Sequence, residues 1–162
     1  MWKIVYRLLS NYQDAQDCFQ ETFLSALETA QSEPVRNFCA LLTKIATARA
    51  IDRLRRRYRC DANGRINIDA LANSDPGPDG QLHSTELAEQ LRQALAKLHT
   101  QEAEVFCLRF INDLSYRQIA KMTGLKRNAV GVMLHRTRMR LREILERQSE
   151  FPEKKVRYSD ES

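Results

Sequence analysis

The chain has 162 residues, 43% hydrophobic and 7% aromatic, and carries a formal net charge of +5. No apolar run reaches membrane-spanning length, which argues against an inserted helix. Period-two runs of β-branched residues are scarce, so the predicted class is all-α, built on Leu, Ile and Ala. Cys18, Cys39, Cys60 and Cys107 form no C-x-x-C pair, and His83, His99 and His135 add no metal-ligand spacing. Reduced thiols in a cytoplasmic protein without metal or cofactor are expected, with Cys18 and Cys107 as small core residues.

Residues 1–12 predict a short helix with Trp2, Val5, Tyr6 and Leu9 on one face. Residues 14–30 predict a second, with Ala15, Phe19, Thr22, Phe23, Ala26 and Leu27 as its apolar stripe and Asp14, Asp17, Gln20, Glu21 and Glu28 exposed. Pro34 suits the first turn of a third helix over 35–58, whose inward positions would be Phe38, Leu41, Leu42, Ile45, Ala48 and Leu54. That helix ends in Arg53, Arg55, Arg56, Arg57 and Arg59, a placement that the helix dipole explains only in part. SDPGPDGQ at 74–81 is the strongest breaker cluster and marks the boundary of two small helical domains joined by a flexible linker. The expected division is 1–59, linker 60–83, a second domain 84–148, and a polar tail 149–162. Helical periodicity resumes at Ser84 or Thr85 through Leu98, and Thr100 caps a further helix to about Ile111.

The most specific stretch is LSYRQIAKMTGLKRNAVGVMLHRTRMRLREIL, 114–145. Ser115 and Gln118 have capping-box spacing, and Leu114 and Ile119 can staple the helix start. Gly124 stands where a tight turn needs positive φ. Val130, Leu134, Thr137, Leu141 and Leu145 then recur at helical steps as a buried stripe, opposite Arg127, Asn128, His135, Arg136, Arg138, Arg142 and Arg147. This is a helix-turn-helix running into a long basic helix, a pattern that seats in the major groove of duplex DNA.

Charge is concentrated in two places. Residues 34–60 hold eight Lys or Arg against one Asp, and residues 115–147 hold nine against two Glu, leaving the remainder acidic. Two separated cationic surfaces point to two nucleic-acid contacts.

Taken together, DAQDCFQETFLSAL (14–27), FCALLTKIATARAIDRLRRR (38–57) and LSYRQIAKMTG (114–124), in that order, resemble the extracytoplasmic-function sigma factors, the small two-domain members of the sigma-70 superfamily that give bacterial RNA polymerase its promoter specificity. The resemblance implies core RNA polymerase and promoter DNA, duplex and melted, as partners, and an anti-sigma factor as an inhibitor. It assigns Asp17, Gln20 and Glu21 to the polymerase clamp. Lys44, Arg49, Arg53, Arg56 and Arg57 would hold the melted minus-ten strand, where cationic grooves track the backbone and bases are extruded. Lys126, Arg127 and Asn128 would reach base edges of the minus-thirty-five duplex, with His135 and Arg136 further along the helix touching phosphate.

The chain departs from the family pattern in several places. It starts inside the first region 2 helix, so the first domain is expected to be N-terminally shortened. Ala48 replaces a frequent Asn and Leu41 a frequent Trp; Gly131, Val132 and Met133 replace a Lys-Ser-Arg-like trio, and Lys126 replaces a capping Ser. The competing reading is a stand-alone helix-turn-helix regulator, which leaves the 14–57 segment without a role. With no Gly-rich phosphate loop, nucleophile–His pair or paired metal motif, no enzyme activity is expected.

Overall fold

The computed structural model describes residues 1–62 and 82–150. Among them are seven α-helices and no strand: α1 (Trp2–Leu9), α2 (Tyr12–Ser32), α3 (Phe38–Ala62), α4 (Leu82–Lys97), α5 (Thr100–Phe110), α6 (Tyr116–Thr123) and α7 (Arg127–Glu150). The all-α expectation holds, and no helix among the described residues is long and apolar enough to cross a membrane.

Short polar signals set the helix ends. Ser10 takes a left-handed conformation (φ 50°) and its N–H donates to the Tyr6 carbonyl, closing α1. The next residue, Asn11, caps α2 by accepting from the Asp14 N–H at 2.9 Å. Asn37 starts α3 in the same way, accepting from the Ala40 N–H at 3.0 Å. Pro34 is therefore not in a first helical turn: α2 runs on to Ser32, and Pro34 lies in the connection that follows. Between α4 and α5 the cap is His99, not Thr100, and Glu102 accepts from its N–H at 3.3 Å.

The packed faces include the expected Val5, Leu9, Ala15, Cys18, Thr22, Ala26 and Leu54 but not the bulkiest residues assigned to them. In α1 the buried residues are Ile4, Val5, Leu8 and Leu9, whereas Trp2 and Tyr6 are 37% and 43% exposed. In α2 they are Ala15, Cys18, Thr22 and Ala26, while Phe23 and Leu27 lie on the outside. In α3 the fully buried positions are Ala46, Thr47, Ala50, Ile51 and Leu54. Small side chains line the facing sides of α2 and α3, and rings close the edges of the α2–α3 and α1–α2 contacts. Phe23 meets Phe38 edge-on with centroids 6.1 Å apart, and Trp2 meets Phe19 at 5.9 Å.

One continuous buried cluster joins the two halves of the chain. Ile4, Leu8, Ile51 and Leu54 belong to it, and so do Ala94, Leu95, Leu98, Ala103, Cys107 and Leu141. Polar contacts rim this junction. Arg55 donates to the Thr100 hydroxyl, the Tyr58 hydroxyl donates to Glu89, and Arg92 both pairs with Glu89 at 2.9 Å and donates to the Arg7 carbonyl at 3.3 Å. The expected linker, 60–83, is entered at both ends by α3 and α4; its breaker cluster at 74–81 and most of the expected tail lie outside the described residues.

Leu54 is fully buried at the junction, so Leu54→Ala should lower unfolding free energy by about 2–5 kcal/mol in urea, with Leu24→Ala, 61% exposed, within about 0.5 kcal/mol of wild type. Burial also pushes the Cys18 thiol up and the Cys107 thiol up to about 12, while Cys39 is exposed. Iodoacetamide at pH 8 should therefore alkylate Cys39 in the native protein and reach Cys18 and Cys107 only after denaturation; mass spectrometry of the peptides reads the order.

Candidate nucleic-acid interface

The helix-turn-helix is assembled by local bonds that the sequence announces. Ser115 Oγ accepts from the Gln118 N–H at 3.3 Å, and Gln118 Oε1 accepts from the Ser115 N–H at 2.8 Å. Gly124 has φ 75° and its N–H donates to the Ala120 carbonyl at 3.0 Å, closing α6 in a conformation that a side chain would strain. Val105, Leu108, Ile119, Val130 and Leu134 form the unit's own core, with Leu114, Ala120, Leu125 and Met133 packed against it. Arg109 braces the outside: its guanidinium sits 5.7 Å from the Tyr116 ring centroid and donates to the Leu114 carbonyl at 3.1 Å.

This core fixes what α7 presents. Val130, Leu134, Thr137 and Leu141 are buried, and Lys126, Arg127, Asn128, His135 and Arg136 are all exposed. Lys126 holds the cap position through its backbone alone, its carbonyl accepting from the Val130 N–H at 3.1 Å, so its ammonium is left for another partner. On α6, Arg117 and Lys121 are exposed as well. They are absent from the residues singled out by sequence. Their signal is positional, because the first helix of such a unit crosses the backbone while the second enters the groove. Arg140 is not equally available, since it pairs with Glu102 at 2.8 Å.

The other cationic surface is less open. Lys44 and Arg56 are exposed. Arg49 donates to Glu21 at 3.0 Å and to Ser25 Oγ at 2.6 Å, and Arg53 donates to Glu21 at 2.8 Å and to the Asp14 carbonyl at 3.3 Å. Arg57 donates to the Leu9 carbonyl at 3.0 Å, satisfying an end group of α1. The structure thus joins residues that the sequence reading kept apart. Arg49 and Arg53, assigned to DNA, grip Glu21, assigned to a protein partner. The Arg53 hydrogen bond, opposed by partial burial and aided by Arg49, holds the Glu21 carboxyl below the usual range. Of the other docking candidates, Gln20 is exposed and Asp17 is half-buried, accepting from Gln13 at 3.5 Å.

Comparison with known proteins matches this arrangement at both ends. Residues 1–60 match the family description Sigma-70 region 2, and residues 88–141 match Sigma-70, region 4. RNA polymerase sigma factor CnrH of Cupriavidus metallidurans is 32% identical over 145 residues, covering 85% of this chain and 76% of that one. The chain belongs to the sigma-70 family of RNA polymerase sigma factors. ECF RNA polymerase sigma factor SigW of Bacillus subtilis is 29% identical, covering 90% of this chain and 82% of its own length. ECF RNA polymerase sigma factor SigE of Mycolicibacterium smegmatis is 32% identical over 92% of this chain, which spans only 58% of that longer protein. Among solved structures, sigma factor RpoE of Bartonella quintana, crystallised with the anti-sigma factor NepR, aligns with a TM-score of 0.54 at 25% identity, covering 90% of this chain and 89% of RpoE.

The Glu21 seam yields a measurable consequence. A carboxylate whose pKa falls on folding adds stability above its unfolded value and loses it as pH drops through the folded one, but a half-exposed pair contributes little. Glu21→Gln should therefore leave stability at neutral pH nearly unchanged while releasing two guanidinium groups. Binding of a labelled single-stranded oligonucleotide should tighten, and its log–log salt slope should steepen by about 0.7 for each cation that reaches phosphate. An unchanged slope would remove Arg49 and Arg53 from the strand-binding surface.

Proposed function

We propose that the protein directs core RNA polymerase to specific promoters and initiates transcription there, with residues 1–59 and 84–148 acting as separate promoter-binding modules. The observation that carries this reading is the pairing, in one chain and in order, of the two sigma-70 regions with two cationic surfaces, the second of them exposed at the start of α7.

In this reading Lys126, Arg127 and Asn128 contact base edges of the minus-thirty-five duplex. His135, Arg136, Arg117 and Lys121 contact its phosphates, because cations on both helices can bracket the groove. Lys44 and Arg56 hold the melted minus-ten strand directly, while Arg49, Arg53 and Arg57 join them only on leaving their intramolecular partners. Gln20 and Asp17, with the solvent edge of Glu21, form the clamp-facing surface of α2. The chain carries no chemistry of its own: polymerase performs phosphoryl transfer, and the protein works in the cytoplasm where that polymerase is. An anti-sigma protein is a fitting regulator, as RpoE is crystallised with one. A regulator acting without polymerase would leave the region 2 match without a role.

Run-off transcription with core polymerase on a promoter library should give defined starts that core alone does not. Arg127→Ala should weaken minus-thirty-five duplex binding by about 1–3 kcal/mol and leave polymerase affinity unchanged. Gln20→Lys, exposed and outside the arginine seam, should do the reverse. Equal losses of both affinities in either variant would contradict the division of labour, and the absence of defined starts would contradict the function.

A further inference from the structure

We infer that Val132 is a specificity-determining residue that reads the C5-methyl group of a thymine in the minus-thirty-five element. The inference rests on the function proposed above and adds a base contact to it.

At about 100° per residue, the buried stripe of Val130, Leu134, Thr137 and Leu141 points one way, and Asn128, Val132, His135 and Met139 form the ridge on the opposite side. Val132 is 51% exposed and Met139 46%, the two apolar positions of a ridge that is otherwise polar or cationic. An isolated exposed apolar residue usually needs no explanation. Here the surroundings make it informative. A β-branched residue is a weaker helix former than the Lys, Arg or Gln that an exposed turn would otherwise favour, and Val132 joins neither buried cluster in return.

Position along the helix separates Val132 from Met139. Val132 lies five residues after Arg127, about 7.5 Å along the axis, between Asn128 and His135 on successive turns. Met139 lies about 18 Å along, where a straight helix has left the curving floor of a groove about 12 Å wide. Asn128 can make a bidentate contact with adenine, and cations at Arg127 and Arg136 can hold the ridge at groove depth. Gly131 beside Val132 adds no side chain of its own; the space a Cβ would take there is bounded by the Tyr116 ring at 3.5 Å. In the major groove the apolar feature available to a valine is the thymine methyl.

The test uses the full chain with core polymerase. A promoter is first selected from a random library by its run-off start, and each thymine of its minus-thirty-five element is then replaced by uracil, which removes only the methyl. At one position uracil should weaken binding about fourfold, the effect of leaving one methyl uncovered. Val132→Ala should bind thymine and uracil promoters equally, and Val132→Thr, which keeps a methyl, should restore part of the difference. Tolerance of uracil at every position, or an undiminished uracil penalty in Val132→Ala, would overturn the inference. Defined run-off starts from the same proteins distinguish that result from failure of the sigma assignment.

Discussion

The contact of α3 with α4 and α5 governs how this protein can work. It draws Leu54 and Ile51 into one buried cluster with Leu95 and Leu98, so the two cationic surfaces belong to a single body. A compact chain of this length has a radius of gyration of about 15 Å and a diameter near 40 Å. Promoter elements centred about 25 base pairs apart lie roughly 85 Å apart along B-form DNA. A single body of that size cannot occupy both at once. The proposed function therefore requires the junction to open, and covalent geometry permits it: the nineteen residues between α3 and α4 can span about 65 Å at full extension.

The junction has features of a contact that can be exchanged. Its apolar centre is sealed, but Glu104, facing Lys44 and Asp52 across the helices, has a buried Oε1 with no hydrogen-bond partner, and burial raises its carboxyl above the usual range. A half-buried carboxyl with one unpartnered oxygen offsets part of what the apolar cluster contributes, and opening returns it to water. Tyr58 and Glu89 work in the other direction. Burial opposes the Glu89 charge, yet hydrogen bonds from Tyr58 and Arg92 outweigh it and hold its carboxyl low. The α2–α3 seam shows a similar economy, with Arg49 and Arg53 occupied by Glu21, and Arg57 is likewise occupied by the Leu9 carbonyl at the end of α1. By contrast, the cations at the start of α7 have an independent core beneath them and are exposed in the closed body.

How much of this could be read in the sequence follows from the range of the interactions. The helix-turn-helix was legible because its determinants are local: a cap and its reciprocal Gln three residues on, a glycine at positive φ, and a stripe at steps of three and four. Each was found in place, at Ser115, Gln118, Gly124 and Val130–Leu141. The buried faces of α1, α2 and α3 were legible in part: Val5, Leu9, Ala15, Cys18, Thr22, Ala26 and Leu54 were expected inside and are buried, whereas periodicity weighs bulk and so also assigned the exposed Trp2, Tyr6, Phe23 and Leu27 inward and passed over Ala46 and Ala50. Pro34 misled because a good first-turn residue does not by itself start a helix, and Asn37 supplied the cap instead. The pairing of Glu21 with Arg49 and Arg53 spans about thirty residues and leaves no local trace. The shared core likewise depends on contacts between distant segments, so composition suggested two modules without showing that they meet.

The most direct test of the account is the distance between those modules, read by energy transfer between dyes on Cys39 and on Arg147→Cys, with Cys60→Ser removing a competing thiol. Free protein should give high transfer, as expected of one compact body. On adding core polymerase and a promoter that yields a defined run-off start, transfer should fall to a level corresponding to well over 50 Å. High transfer persisting in a complex that initiates at that start would contradict the account, because a closed chain would then be doing what its dimensions forbid.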